Sequence, residues 1–153
     1  MRQQFPKTCM DLMDKDERVI VVLGDIGVFA FKDVMSKYPK RCINIGICEQ
    51  SMVSMCAGLA MSGFIPVVHT ISPFLVARAY EQIRDDFAFQ KLSGVFVGVD
   101  VYTTSPNLGL THSCPEDINL TSPFMKTFEP KSSDELDKVL KENYQELCYI
   151  KIV

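Results

Sequence analysis

Asn44-Ile45-Gly46-Ile47-Cys48-Glu49-Gln50 runs directly into Ser51-Met52-Val53-Ser54-Met55-Cys56-Ala57-Gly58-Leu59-Ala60. It reads as the end of a buried strand that turns through Gly46 and opens a helix. Glu49 sits at the mouth of that helix, where the aligned peptide dipoles favour a negative charge. Its neighbours are apolar or small, so the carboxyl group is expected to be desolvated, a setting suited to a working carboxylate. Met52, Val53, Met55, Cys56, Leu59 and Ala60 follow three-and-four spacing and form the expected buried stripe. Gly63 should stop the helix as a left-handed cap.

Outward from this unit, strand-like and helix-like segments alternate. Toward the N-terminus lie a short helix over 8–13, the β-branched strand Arg18-Val19-Ile20-Val21-Val22-Leu23-Gly24, a helix over 29–37 and a strand over 41–45. Toward the C-terminus, Ile65 to Thr70 forms a third strand. Ser72-Pro73 then sets an N-cap and a first-turn proline for a helix over 74–90. A strand over 94–100, a polar loop over 101–116 and a strand over 124–128 follow. Ser132-x-x-Glu135 is a capping box for a helix reaching about residue 146, and 148–153 is the last strand. Such alternation predicts an α/β fold of three layers, αβα, with a mainly parallel sheet. Ligands in these folds bind beyond the carboxyl ends of the strands, where Asp25, Glu49, Ser72 and Asp100 should gather.

The 153 residues predict one domain over 1–153, with 47% hydrophobic and 23% charged residues, an ordinary globular balance. A net charge of −3 points to no nucleic-acid partner and no membrane surface. No apolar run approaches the roughly 18 residues of a membrane span, and the N-terminus lacks a signal-peptide core. The six cysteines, Cys9, Cys42, Cys48, Cys56, Cys114 and Cys148, form no C-x-x-C pair. They are expected to be reduced, buried thiols of a cytoplasmic protein. His69 and His112 lack ligand spacing, so no metal site is expected within the chain.

Asn44-Ile-Gly-Ile-Cys-Glu-Gln-x-Met, Ala57-Gly-Leu-Ala-x-x-Gly63 and Pro66 resemble the pyrimidine-binding domain of transketolases. Similar sequences occur in 1-deoxyxylulose-5-phosphate synthases and in the beta subunits of 2-oxoacid dehydrogenases. Phe74-x-x-x-Arg78-Ala79-Tyr80-Glu81-Gln82-Ile83-Arg84 is similar to the family's next helix. Gly109-Leu110-Thr111-His112 with Glu116-Asp117-Ile118 is similar to its Gly-x-Thr-His loop and following helix, and Pro130 to Leu136 matches the approach to the last helix. The resemblance covers nearly the whole chain in order. It implies the thiamine diphosphate-binding fold (the Pyr module) and a reaction that moves a two-carbon ketol or acyl unit between carbonyl compounds.

The resemblance also implies roles for particular residues. A glutamate in the place of Glu49 hydrogen-bonds pyrimidine nitrogen N1′ of thiamine diphosphate and favours the tautomer whose 4′ nitrogen takes the C2 proton; the cofactor carries the hard chemistry. Phe74 matches the aromatic residue against the pyrimidine, with Tyr80 following it, and core packing is the alternative for both. Asp25 falls where the cofactor cleft begins, or is a turn aspartate. His112, Asp100 and His69 are candidates to face substrate, His112 also for catalysis; for His69 a satisfied structural role is the alternative.

Two departures bear on function. Pro106-Asn107-Leu108-Gly109 stands where the family has Gly-Glu-Asp-Gly, so Leu108 replaces an acidic contact to a sugar hydroxyl. That points away from ordinary sugar-phosphate specificity, toward a more apolar acceptor or a non-catalytic assembly or regulatory relative. The Gly-Asp-Gly…Asn pattern that holds Mg2+ and diphosphate is also missing. A pyrophosphate-binding partner chain is therefore expected to supply the metal, in a homodimer or hetero-oligomer acting on small carbonyl or sugar-phosphate substrates. Met52, Met55 and the helix from Phe74 are the expected contact. An unrelated doubly wound binding domain is the remaining alternative.

Overall fold

A computed structural model describes residues 1–101 and 106–153. Six strands form one sheet in the order β2-β1-β3-β4-β6-β5. They are β1 (Val19–Leu23), β2 (Cys42–Asn44), β3 (Ile65–Ile71), β4 (Gly94–Val99), β5 (Lys126–Phe128) and β6 (Leu147–Ile152), and every pairing is parallel. The expected α/β architecture with a parallel sheet is what forms. The residues of β1, β3 and β4 are nearly all buried, as strands covered on both faces require.

Period-two alternation divides the core. On one face Val21, Val67, Val97 and Ile150 pack under α1 (Gln4–Lys15), α2 (Lys32–Lys37) and α6 (Ser133–Asn143). On the other, Val22, Val68, Phe96 and Tyr149 pack under α3 (Glu49–Met61) and the segment after β3. The short helices α4 (Tyr80–Gln82) and α5 (Asp117–Thr121) complete the order. Helix α1 is longer than the expected 8–13 because Phe5, Cys9, Leu12 and Met13 form one continuous buried stripe.

Helix α3 ends as expected. Gly63 lies at φ +89°, its N–H donates to Ala60 O at 3.0 Å, and Phe64 N–H donates to Leu59 O at 3.1 Å. These are the paired bonds of a Schellman cap. The Ser132 cap also forms, its Oγ accepting from Glu135 N, but Glu135 Oε2 accepts from Lys131 N rather than from the Ser132 N–H.

The expected regular helix over 74–90 is not present. Pro73–Ala77 and Ile83–Ala88 are π-helical turns with α4 between them. Arg78 N–H donates to Pro73 O at 3.0 Å, and Phe89 N–H to Arg84 O at 2.9 Å, each spanning five residues. Ser72 does not cap with its side chain either: its backbone is already helical, and its hydroxyl meets Tyr149 OH at 3.1 Å. A buried polar partner outcompetes the cap. Sequence periodicity cannot register such insertions, which are common at functional sites.

On α3 the buried stripe is Met52, Val53, Cys56 and Ala57. Met55, expected inside, is 39% exposed, while Met52, expected at a chain contact, is fully enclosed. No helix among the described residues is long and apolar enough to cross a membrane.

Candidate active site

Gly46, at φ +83°, makes the turn from β2 into α3; a side chain there would be strained. Asn44 braces that turn. Its Oδ1 accepts from Asp25 N at 2.9 Å and Gly46 N at 3.2 Å, and its Nδ2 donates to Asp25 Oδ1 at 2.9 Å. Asp25, itself at φ +57°, sits in the turn after β1 and ties the carboxyl ends of β1 and β2 together.

The Glu49 side chain, in the first turn of α3, is 2% exposed. Arg78 Nη1 donates to its Oε2 at 2.8 Å, and Oε1 accepts no hydrogen bond among the described residues. The Arg78 guanidinium lies 4.1 Å over the Phe74 ring, and the His112 ring meets the same phenyl edge-to-face at 5.0 Å. Glu49 and Phe74, far apart in sequence, therefore meet through one arginine, and His112 joins them through Phe74. The five-residue bond from Arg78 to Pro73 sets this register, since it carries Phe74 and Arg78 together to the mouth of α3.

Beside them lies a buried polar network. Lys151 Nζ donates to Asp117 Oδ1 at 3.1 Å and to Cys114 O at 3.4 Å, and stands 3.7 Å from Asp100 Oδ2. Tyr149 OH donates to Asp117 Oδ2 at 2.7 Å, and Ile118 N–H to Asp117 Oδ1 at 2.7 Å. Burial, with the Asp117 carboxylate beside it, pushes the Tyr149 hydroxyl well above its usual range. A Cβ at Gly98 would collide with the Tyr149 hydroxyl and Ser72 Oγ, so that glycine makes room for the network. Asp100 is anchored to the carboxyl end of β6 by this cluster.

The other candidates lie elsewhere. His69 is on the opposite sheet face, in a cavity of about 110 Å³ lined by Arg2, Phe5, Gly27, Phe31 and Val99. Its Nδ1 donates to Val97 O at 2.8 Å, and burial lowers its pKa to about 4, so it is neutral near pH 7. That is the satisfied structural histidine, not a lining of Glu49's cleft. Tyr80, half-buried, packs edge-to-face on Phe124 at 5.6 Å rather than on Phe74. The cysteines are free, as expected. Burial raises Cys42, Cys56, Cys114 and Cys148 to about 12, which keeps them protonated. No group of three metal-ligating side chains occurs among the described residues.

Arg78, Tyr149, Lys151 and Asn44 had no assigned role in the sequence reading. Lys151 was findable, as a lone cation in the otherwise apolar strand Leu147 to Ile152. Residues 102–105 of the polar loop fall outside the described residues.

The family model described as the transketolase pyrimidine-binding domain matches residues 1–150. The chain belongs to that family. It is 40% identical over 116 residues to an uncharacterized 33.6 kDa protein in the fasciation locus of Rhodococcoides fascians, covering 76% of this chain and 37% of that protein. It is 29% identical over 139 residues to the 6-deoxy-6-sulfo-D-fructose transketolase subunit SqwH of Clostridium sp. (strain MSTE9), covering 89% of this chain and 43% of that subunit. Thus the chain spans less than half the length of these curated relatives. A solved split-gene transketolase, described as an inactive beta4 tetramer, shares the fold with a TM-score of 0.86 at 24% identity, over 98% of this chain and 50% of that one.

Proposed function

We propose that the chain is the pyrimidine-binding half of a thiamine diphosphate-dependent transferase of the transketolase type. It moves a two-carbon ketol or acyl unit between small carbonyl or sugar-phosphate substrates. A second, pyrophosphate-binding chain completes it and holds the Mg2+ and diphosphate. The single observation that carries this reading is the buried Glu49 carboxyl, joined through the Arg78 guanidinium to the face of Phe74.

Those residues fit an aminopyrimidine. Phe74 offers an aromatic face for a flat ring. Glu49 offers a desolvated carboxyl group fixed on a rigid helix start, held for proton exchange with a ring nitrogen. When bound, the cofactor supplies a carbon nucleophile at C2 of its thiazolium ring. Glu49 shares a proton with N1′, and Phe74 fixes the ring plane. His112, packed on Phe74, is at hand to exchange protons with substrate oxygen. Asp100, steadied by Lys151, is the candidate hydrogen-bonding group for the acceptor.

Exposed apolar residues around this edge support a shared seam. Ile47 is 71% exposed, Leu110 79%, Leu108 48% and Met55 39%. Apolar side chains this exposed are the kind of surface a partner covers. The chain named subunit SqwH supports the split arrangement by analogy.

Calorimetry on the chain mixed with a pyrophosphate-binding subunit, titrated with thiamine diphosphate and Mg2+, tests the reading. Binding by the mixture, and much weaker binding by either component, is expected. A mixture that forms a complex without binding the cofactor would contradict it and favour the non-catalytic relative.

A further inference from the structure

We propose that Arg78 stands in the aminopyrimidine's place, so that a planar amidine-type ligand reaches Glu49 and Phe74 only by displacing it. The proposal rests on the reading of Glu49 as the ring's partner. Three observations converge on it. The guanidinium is a flat N–C–N group with N–H donors on its edge, the pattern an aminopyrimidine presents when its ring nitrogen carries the shared proton. It occupies both elements of the proposed ring site at once, Glu49 Oε2 at 2.8 Å and the Phe74 face at 4.1 Å. Its side chain is 43% exposed while Glu49 is 2% exposed, so the guanidinium can leave toward water and the carboxylate cannot.

The physical logic is exchange of partners. A desolvated carboxylate without a partner is costly, and Arg78 removes that cost while no ligand is bound. A ring that stacks on Phe74 and hydrogen-bonds Glu49 replaces both contacts, and the guanidinium regains its hydration. Apparent affinity is then reduced by the fraction of molecules in which Arg78 is seated. Removing the arginine should both open the subsite and leave Glu49 in need of a ligand.

The test is a titration of this chain with 4-aminopyrimidine, followed by protein NMR, for wild type, Glu49→Gln and Arg78→Ala. Arg78→Ala is expected to bind about tenfold more tightly than wild type. It is also expected to melt at a lower temperature and to be restored toward wild type by the ligand. In wild type, the Arg78 Cδ protons should be shifted by the Phe74 ring current and should lose that shift as the ligand saturates. This second readout decides the matter should Arg78→Ala fail to fold. Equal, weaker or absent binding by folded Arg78→Ala, or Arg78 signals unmoved at saturation, would overturn the proposal. Wild-type binding that Glu49→Gln leaves unchanged would instead overturn the underlying assignment of Glu49.

Discussion

On the α1 side of the sheet, a titratable group is sealed in the core: His69 packs against Phe5 at 4.9 Å, and its one recorded hydrogen bond goes to a strand carbonyl. On the α3 side, the same strands, one residue out of phase, present Thr70, Tyr149 and Lys151, and the helix above opens with Glu49. Burial holds the ionisable group of the first face neutral. On the second face the buried carboxyl groups are paired, Glu49 with Arg78 and Asp117 with Lys151. Burial alone therefore does not mark a functional carboxyl; the proposal for Glu49 rests on burial at the start of a helix that follows a strand's carboxyl end, beside a half-exposed partner.

Breaking the paired face should have the largest effect on stability. Lys151→Met leaves the Asp117 carboxylate, 0% exposed, without its cation. A loss of about 3 kcal/mol is expected, or a melting point lower by about 10 °C. Calorimetric melting checks it, and adding Asp117→Asn should recover part of the loss; an unchanged melting point would remove the network from the account.

The neutral face predicts a pH dependence. The folded His69 imidazole titrates near 4 while the unfolded one titrates near 6.5. Between those values the unfolded chain binds the extra proton, so stability is complete above 6.5 and declines as the pH falls toward 4. Urea unfolding should give about 2 kcal/mol less stability at pH 5 than at pH 6.5 from this group. His69→Gln should flatten that difference, and a slope equal to wild type would mean that His69 is not held neutral.

The smallest effect is the cap of α6, a helix that packs on the α1 side of the sheet. Ser132→Ala should cost about 1 kcal/mol through loss of the bond to Glu135 N and leave cofactor binding unchanged. A change in binding would show that the two faces are less separable than described.

Much of this was legible in the sequence, for identifiable reasons. Val19 to Leu23 and Gly94 to Val99 are continuous apolar runs, which buried parallel strands require, and Gly63 could only be a stop. Glu49 was legible because a carboxylate follows a glycine turn into an apolar helix. The helix after Pro73 was misread because a π-helical turn adds one residue without altering composition, and that residue is what aligns Arg78 with Glu49. Ser72 was misread as a cap because its competitor, Tyr149, lies 77 residues away. Sequence spacing sees local partners, and the site is assembled from distant ones. The partners of Asp25 and His69, Asn44 and Val97, lie 19 and 28 residues away, beyond the reach of local spacing.

The most direct measurement is the rate at which the C2 proton of thiamine diphosphate exchanges with deuterium in the assembled complex, read by NMR after acid quench. With wild-type chain, exchange should be far faster than for the free cofactor. With Glu49→Gln, which keeps the shape and removes the acid, it should fall by about 10²- to 10⁴-fold. Exchange as fast with Glu49→Gln as with wild type would contradict the central claim that this carboxyl group activates the cofactor.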